Sequence, residues 1–335
     1  MNSAAENAGG TVAPSAKDTV AETVADTTTD TPATRLADQT AAIAVVYGID
    51  TTLGPWLAAL RREVAQVVLV DNTEQGHPAL RAWPDTPGLA LLHRRNQGAL
   101  AGAYNGALQW LAQHRPELQQ VVLVDDDSDP RVLKALLLDP AVRRVLALPD
   151  TAAVAPAYVD RATGLRGRHI ELQRWHLHHL PREIHGLRGV AFVINSMSVW
   201  KRAALARIGP FNEGLAIDHV DTEYCLRARQ LGLRVYVAGD HEFAHSIGQR
   251  RRYTLFGRSL QAGSHAPSRR YLIGRNTAWL GRRYVWREPA FAWLCASRLA
   301  YEAVGIVMAE PQKLPKLMAL LRGAVVGLFT WRLRW

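Results

Sequence analysis

Apolar positions in the first half of the chain form short continuous runs that alternate with stretches of helical spacing. Between these runs, residues 55–64 and 98–114 carry apolar side chains at helical spacing, and Pro55 suits a first helical turn. Strands that alternate with helices indicate an α/β domain in which a mostly parallel sheet is covered on both faces. Ligands bind beyond the carboxyl ends of such strands. The predicted strands are residues 42–47, 66–72, 88–94 and 119–125.

The pattern is looser beyond Asp150. From about residue 268 to the end, stretches rich in Arg, Trp and Leu predict helices. We therefore expect an α/β domain over residues 41–265, followed by a basic helical region over residues 266–335. Within the α/β domain, further strands are predicted at residues 152–160, 189–196 and 233–239, and helices at residues 200–209 and 220–232.

Composition sets the beginning of the chain apart. Residues 1–40 are rich in Ala, Thr, Asp and Ser and contain almost no large apolar side chain, so they cannot bury enough surface to offset the entropy of ordering. We expect a disordered leader there, and not a signal peptide, because no basic start is followed by an apolar core. Cys225 and Cys295 have neither zinc nor disulfide spacing, which indicates a reducing, cytosolic location.

Positive charge is concentrated at the other end. Residues 246–335 contain sixteen Lys or Arg against three Asp or Glu, whereas the whole chain has a net charge of +10. This predicts an anionic partner, either nucleic acid or the inner leaflet of a membrane, although a solvated basic surface fits as well. No nucleic-acid module is recognisable, so we expect a membrane surface and no nucleic acid. Arg298 and Glu302 argue against a transmembrane span and favour helices lying on the bilayer.

An acidic cluster, Asp125, Asp126 and Asp127, directly follows the fourth predicted strand. Carboxylates at one strand end can converge on Mg²⁺ or Mn²⁺, which prefer oxygen ligands and commonly bridge to phosphates. An ordinary Asp-rich turn before a helix is an equally good interpretation of this segment alone.

A second acidic group, Asp218, Asp221 and Glu223, lies at the start of the predicted helix at residues 220–232. A helix dipole favours anions at this end, so capping and a general base are both open interpretations. His245 follows a later strand and lies near the acidic groups in the predicted fold, which makes it a candidate metal ligand.

These segments resemble the motifs of glycosyltransferase family 2, in the same order and at similar spacing. RRYLIGRN at residues 269–276 is typical of the rhamnosyltransferase-like branch. The resemblance spans residues 42–276 and implies a GT-A fold, which is a Rossmann-like nucleotide-sugar-binding fold. The other matching segments are VVY (45–47), LVDN (69–72), RRNQGALAGAYNGAL (94–108), VLVDDDS (122–128), RIGPFNEGLAIDHVDTEYCLRARQLGLRV (207–235) and HSIG (245–248).

The resemblance implies a donor site made from several separate segments. Base and ribose contacts would come from the ends of the first two strands, and diphosphate contacts from the turn after the third strand and the helix that follows. A helix cap and a packed polar residue are equally good interpretations of the two asparagines there. The residues expected to surround the donor are Tyr47, Asp71, Arg95, Asn96, Gly98, Asn105, Asp125 and Asp126.

For the reaction, the resemblance implies a metal-dependent transfer with inversion at the anomeric carbon. Asp125 and Asp127 would bind Mg²⁺ or Mn²⁺ together with His245. Asp221 would be the catalytic base, and Glu223 would orient it or hold an acceptor hydroxyl. The implied donor is dTDP-L-rhamnose, and the implied acceptor is a cell-envelope polysaccharide or lipid-linked glycan at the inner face of the cell membrane.

Two departures from the family pattern lie near the donor. Asp126 stands where the common branch has Gln, and residues 193–200 read VINSMSVW where relatives often carry a small Thr-Ser-Gly turn. That segment is expected to border the sugar or the acceptor. Another donor sugar such as galactofuranose, a metal-dependent nucleotidyltransferase or phosphohydrolase, and a non-catalytic basic scaffold are the alternative functions.

Overall fold

A mixed sheet of eight strands lies at the centre of the protein. The computed structural model describes residues 35–48, 53–81, 86–245, 250–255 and 258–333. The strands of the central sheet are β1 (Thr40–Val46), β2 (Gln66–Asp71), β3 (Leu89–His93), β4 (Gln120–Asp125), β5 (Thr151–Asp160), β8 (Leu187–Val190), β9 (Ser198–Lys201) and β10 (Arg234–His245). Two further pairs are β6 (Ile170–Leu172) with β7 (Leu177–His179), and β11 (Arg250–Leu255) with β12 (Arg258–Gly263).

The order of strands in the central sheet is β3-β2-β1-β4-β9-β5-β10-β8. β3, β2, β1 and β4 are parallel neighbours, and β5 is parallel to β10, whereas β8 and β9 are antiparallel to their neighbours. The order in which strands are added to the sheet reverses at β1, because β2 lies on one side of β1 and β4 on the other. Doubly wound sheets bind nucleotides in the crevice at such a reversal. The predicted α/β class, with a GT-A-type Rossmann-like sheet, is confirmed.

Helices cover both faces of the sheet, because successive strand residues point to opposite sides. On one face, Leu123 of β4 packs in a core that includes Tyr104. On the other face, Val122 of the same strand joins a core that includes Leu57. The helices are α1 (Leu53–Leu60), α2 (Pro78–Arg81), α3 (Ala99–His114), α4 (Arg131–Leu138), α5 (Pro140–Ala147), α6 (Arg202–Ile208), α7 (Val220–Gln230), α8 (Pro267–Tyr284), α9 (Pro289–Ala309) and α10 (Lys313–Phe329).

Regular structure begins earlier than the sequence predicts. Residues 35–40 belong to the predicted leader, but Leu36–Gln39 form a 3-10 turn and Thr40 begins β1. Leu36 is buried, and Oγ1 of Thr40 donates a 2.6 Å hydrogen bond to its carbonyl. One apolar side chain therefore anchors this stretch. Residues 1–34 of the predicted leader lie outside the described residues.

The strand predicted at residues 189–196 is wrong over most of its length. β8 ends at Val190, and residues 191–196 are irregular. Val193 is buried without belonging to a strand, so its apolar segment fills the core but adds nothing to the sheet. The chain then turns through Met197 with φ of 61° and forms β9, which lies between β4 and β5.

The C-terminal region consists of α8, α9 and α10. α8 and α10 approach so closely that a Cβ atom at Gly274 would meet the carbonyl of Leu320, and one at Gly323 would meet the carbonyl of Tyr271. Residues 35–335 form one compact unit, and the predicted division at residues 265 and 266 stays a prediction. Among the described residues, α9 is the one helix that is long and apolar enough to cross a membrane by length and composition.

Candidate active site

The residues predicted to contact the donor base and ribose lie beyond β1 and β2. Tyr47 directly follows β1, and its side chain is 61% exposed, so the ring is accessible for stacking. Asp71 ends β2 and is fully buried. Its oxygens accept hydrogen bonds from the backbone N–H groups of Thr73 (3.0 Å) and His77 (2.8 Å) and lie 3.1 Å from Nδ1 of His93.

Burial alone would raise the pKa of Asp71, but these hydrogen bonds outweigh it and hold the pKa below its ordinary value. Asp71 is therefore an ionised group that fixes the loop beyond β2. Its contact with a donor stays a prediction, as does that of Tyr47.

The turn between β3 and α3 has a strained backbone. Arg95, Asn96 and Gly98 have φ values of 50°, 60° and 70°, a region that side-chain-bearing residues rarely occupy. At Gly98, a Cβ atom would lie 2.5 Å from Oε2 of Glu213. The turn therefore fixes the N-terminus of α3, with the Glu213 carboxylate packed against it. Binding of the donor by these three residues stays a prediction.

The three predicted metal ligands converge although they come from separate segments. Asp125 ends β4, Asp127 lies two residues further on, and His245 ends β10. Each contributes one ligand atom, and these atoms all lie within 4.8 Å of one another. Oδ1 of Asp127 and Nδ1 of His245 are buried and have no hydrogen-bond partner. Buried polar atoms seldom lack a partner, and two carboxylates with an imidazole suit Mn²⁺ or Mg²⁺. The residues therefore fit a divalent cation.

Asp125 has an additional partner that the sequence did not predict as a site residue. Oγ of Ser196 donates a hydrogen bond to Oδ2 of Asp125. Burial raises the pKa of Asp125, the Ser196 hydroxyl and the nearby His245 oppose this, and the charge of Asp127 adds to it, so that the pKa lies above its ordinary value. Ser196 belongs to the irregular segment at residues 191–196, which this contact brings beside the metal ligands.

Arg161 connects the two chain segments that supply the cluster. Its Nη2 donates a 2.6 Å hydrogen bond to the carbonyl of Asp127, and its backbone N–H donates to the carbonyl of His245 at 3.0 Å. Asp126 is exposed and is not part of the cluster. Its predicted contact with the donor stays a prediction.

Asp221 lies in the first turn of α7. Its Oδ1 accepts hydrogen bonds from the backbone N–H (2.6 Å) and the hydroxyl (3.2 Å) of Thr222. Burial raises the pKa of Asp221 in spite of these bonds. Burial also raises the pKa of the Tyr104 phenol, and Asp125 and Asp221 both raise it further. Asp221 is therefore a partly buried carboxylate with a raised pKa at the start of α7.

The RRYLIGRN motif holds the loop that leads into α7. Arg269 pairs with the Asp218 carboxylate at 3.4 Å. Nδ2 of Asn276, which is fully buried, donates to the carbonyls of Leu215 (2.6 Å) and Asp218 (3.1 Å). Arg275 donates to a further loop carbonyl at 2.6 Å. The motif therefore fixes the conformation of the loop by donating hydrogen bonds to its backbone carbonyls.

Glu223 and Asn105 contact a different part of the protein. Nε of Arg227 donates a 3.0 Å hydrogen bond to the Glu223 carboxylate. Nδ2 of Asn105 donates to the carbonyl of Phe211 (3.0 Å), and its Oδ1 accepts from the backbone N–H of the same residue (2.8 Å). Residues two apart on a helix point about 200° apart, so Glu223 and Asp221 lie on different sides of α7. The predicted roles of Glu223 and Asn105 stay predictions.

A cavity of about 410 Å³ lies on that side of α7. None of the three metal-ligand candidates lines this cavity, so the cavity is not the candidate metal site. The cluster at the crevice is therefore the better guide to the active site. The cavity is lined by Asn105, Pro210, Phe211, Asn212, Glu213, Glu223 and Arg227.

The fold and the site together define a class. A doubly wound sheet, an Asp-X-Asp strand end with a histidine from a later strand, and an acidic helix start make the chain similar to family 2 glycosyltransferases of the GT-A fold, as its motifs predict. No protein-family model matches the chain. A particular relative is the dTDP-rhamnosyl transferase RfbF of Shigella flexneri, which is 24% identical over 251 residues, covering 72% of this chain and 79% of that protein. This match confirms the predicted resemblance.

Two solved structures resemble the chain in outline. GalNAc-T7 with UDP, GalNAc and Mn²⁺ has a TM-score of 0.45 and 12% identity over 70% of this chain and 47% of that one, so the chain spans about half the length of GalNAc-T7. Residues 1–349 of S. aureus TarS in complex with UDP have a TM-score of 0.40 and 15% identity over 84% of this chain and 69% of that one.

Proposed function

We propose that the chain is a metal-dependent, inverting glycosyltransferase that takes a sugar from a nucleotide-sugar donor. The observation that carries this proposal is the convergence of Asp125, Asp127 and His245 at the carboxyl ends of the strands. These three residues each offer a ligand atom within 4.8 Å of the others, and the candidate base, Asp221, lies in the first turn of α7. A strand-end carboxylate pair alone would also suit a nucleotidyltransferase. The similarity to a named rhamnosyl transferase over 72% of the chain favours glycosyl transfer.

Asp125, Asp127 and His245 would hold Mg²⁺ or Mn²⁺. The cation would neutralise the charge that develops on the leaving nucleoside diphosphate. The unpartnered Oδ1 of Asp127 and Nδ1 of His245 support this assignment. Ser196 would hold Asp125 in place, since its hydroxyl uses one of the two carboxylate oxygens of that residue and thereby orients the other.

Asp221 would take the proton from the attacking acceptor hydroxyl. The bond from that oxygen to the anomeric carbon forms as the bond to the diphosphate oxygen breaks, and the nucleoside diphosphate leaves. Burial raises the pKa of Asp221, which brings it closer to neutral pH and makes the carboxylate a stronger base. General base catalysis is typically worth about 10²–10⁴-fold in rate. Glu223 would orient Asp221 or hold an acceptor hydroxyl.

The donor would lie along the crevice. Tyr47 and Asp71 would contact the base and ribose, and the turn after β3, with Arg95, Asn96 and Gly98, would contact the diphosphate. The accessible ring of Tyr47 supports the first role, and the strained backbone of the turn supports the second. The remaining donor contacts in the proposal are Asn105, Asp125 and Asp126.

We take L-rhamnose from dTDP-rhamnose as the sugar, because the relative that covers 72% of the chain is named a dTDP-rhamnosyl transferase. At 24% identity, galactofuranose is the rival donor that the experiment must separate. The acceptor would be a hydroxyl of a polysaccharide or lipid-linked glycan, reached from the cytoplasmic side of the cell membrane.

The test is a donor panel assayed with purified protein and Mn²⁺ or Mg²⁺, following both donor binding and slow donor hydrolysis. Three variants are compared with the unaltered chain: Asp127→Ala, Asp221→Asn and the control Asp129→Asn. Asp129 lies in the same turn but pairs with the exposed Arg131 and takes no part in the cluster.

We expect one donor to bind only with metal. Asp127→Ala should lose this binding, Asp221→Asn should keep it and lose turnover by about 10²-fold or more, and Asp129→Asn should behave like the unaltered chain. Selective binding of a galactofuranose donor would change the sugar but keep the reaction. Failure of every nucleotide sugar to bind with either metal would overturn the proposal and favour the scaffold function.

A further inference from the structure

α10 exposes a continuous apolar stripe. Its members alternate at spacings of four and three residues, which places them on one side of the helix. Each is between 46% and 68% exposed, so nothing in the described part of the chain covers the stripe. Its residues are Leu314, Met318, Leu321, Val325 and Leu328.

α9 adds a second exposed apolar surface. Trp293 is 74% exposed, and Val304, Val307 and Met308 are exposed further along the helix. Phe329, at the end of α10, is 85% exposed. Single exposed apolar residues are ordinary, but a large contiguous apolar surface marks a binding site. We call the exposed residues of α9 and α10 named in this and the preceding paragraph the α9–α10 face.

The charges around this face have one sign. The three acidic residues after residue 246 are Glu288, Glu302 and Glu310, and all three are paired with Lys or Arg. None of the three is exposed. The exposed charges among residues 263–333 are therefore all cations, namely Arg283, Arg287, Arg298, Lys313, Arg322 and Arg332.

The α9–α10 face is fixed relative to the candidate active site. Arg270 of α8 is fully buried and pairs with Glu302 of α9 and with Glu310, which in turn pairs with Lys316 of α10. The same helix, α8, bonds to the loop that precedes α7 through Asn276. A surface that binds the α9–α10 face is therefore held at a defined orientation to the candidate base.

We propose that the α9–α10 face lies on a lipid bilayer that contains anionic headgroups, with both helices parallel to the membrane plane. Exposed apolar side chains would enter the boundary of the acyl chains, and the surrounding cations would contact the headgroups. A second copy of the chain is the rival occupant. It would bring like charges together, because the acids among residues 263–333 are not exposed and are already paired within the chain. This proposal goes beyond the proposed function and does not rest on it.

The buried ion pairs also argue for helices on the membrane and not across it. If α9 crossed the bilayer, Glu302 would have to leave its buried partner Arg270 and enter the hydrocarbon with Arg298 of the same helix, which lies 3.9 Å from it. Breaking a buried ion pair and placing charged side chains in hydrocarbon are both costly. α9 would also leave its place against α8.

The test is flotation of the full-length protein with phosphatidylcholine vesicles, prepared with and without phosphatidylglycerol, at low and high salt. One variant removes apolar contacts (Met318→Gln, Leu321→Gln and Val325→Thr). A second removes cations (Lys313→Gln, Arg322→Gln and Arg332→Gln). The matched controls change exposed residues elsewhere: Leu138→Gln with Leu165→Gln, and Arg62→Gln, Arg143→Gln and Arg144→Gln. Circular dichroism and donor hydrolysis without vesicles confirm that each variant folds and retains its site.

We expect binding only to vesicles with phosphatidylglycerol, weakened by salt. The cation variant should bind about 10²-fold more weakly, from about five-fold per charge, and the apolar variant should lose detectable binding, while both controls bind like the unaltered chain. Bound protein should be released by alkaline carbonate.

Three results would overturn the proposal. Protein that stays unbound with anionic vesicles would exclude a lipid occupant, and a dimer in sedimentation that the apolar variant converts to monomer would identify a second copy instead. Resistance to carbonate extraction would show a helix that crosses the bilayer. Because donor hydrolysis is followed separately, none of these results bears on glycosyl transfer.

Discussion

Asn276→Ala tests how the RRYLIGRN motif contributes to activity. Asn276 is fully buried, and its Nδ2 donates to the carbonyls of Leu215 and Asp218 at 2.6 and 3.1 Å. Leu215 keeps one other partner, because the backbone N–H of Ile217 also donates to its carbonyl at 2.8 Å. Only part of the hydrogen bonding in the loop is therefore lost. We expect a loss of about 1–3 kcal/mol in the free energy of unfolding, the range for leaving one buried group unsatisfied.

This loss should lower Tm by at most about 2–12 °C, since about 2–4 °C per kcal/mol holds for 150–250 residues and the slope falls with chain length. The effect on activity should be larger than the effect on Tm. The loop leads into the first turn of α7, which carries Asp221, and a displacement of about 1 Å at a reacting group can cost about 10²-fold in rate. We therefore expect kcat to fall by about ten- to a hundred-fold while donor binding changes little.

The assay compares kcat and Tm for Asn276→Ala with those of Ile273→Val. Ile273 lies in the same helix and is buried, but it packs with Ile306 and Leu320. Ile273→Val should cost about 0.5–1.5 kcal/mol and leave kcat unchanged well below Tm. If both variants lose similar stability and both keep full kcat, the reasoning that α8 positions the candidate base is refuted.

Three further predictions concern single contacts. Ser196→Ala removes a hydrogen bond that lowers the pKa of Asp125. The pKa of Asp125 should therefore rise, and as the pH is lowered Mn²⁺ binding should be lost at a higher pH than in the unaltered chain. An unchanged pH profile of Mn²⁺ binding, measured by calorimetry, would contradict this. Gly98→Ala should destabilise the fold by about 1–3 kcal/mol, because φ is 70° and the new Cβ would meet Glu213; denaturation that matches the unaltered protein would be the opposing result. Glu223→Gln removes the charge partner of Arg227 and should lower Tm while keeping Mn²⁺ binding; loss of Mn²⁺ binding by folded protein would show that Glu223 belongs to the metal site.

The sequence predicts the first half of the fold well because local patterns determine it. Residues 67–70 form an uninterrupted apolar run, and β2 (Gln66–Asp71) extends one residue beyond it at each end. Once the strands are known to be parallel, their carboxyl ends must share one edge, so Asp71 and Asp125 are expected near each other. Asp127 and His245 are 118 positions apart in sequence, so no local pattern predicts that they meet. The expectation rests on the predicted fold and on the family resemblance.

Other parts of the site depend on contacts that no local pattern specifies. The apolar run at residues 189–196 reads as a strand, yet it leaves the sheet and brings Ser196 to Asp125. Asn276 acts through carbonyls about sixty residues away in sequence, and backbone carbonyls carry no sequence signal. The apolar stripe of α10 is visible in the sequence, but its exposure follows only from the position of α8.

The central claim is that Asp127 helps to hold a divalent cation that binds the donor diphosphate. Titration calorimetry of dTDP with and without Mn²⁺ tests this most directly, using the unaltered chain, Asp127→Ala and the control Asp129→Asn. We predict dTDP binding that requires Mn²⁺ in the unaltered chain and the control and is absent in Asp127→Ala. Equal binding of dTDP by all three proteins, with or without Mn²⁺, would contradict the claim.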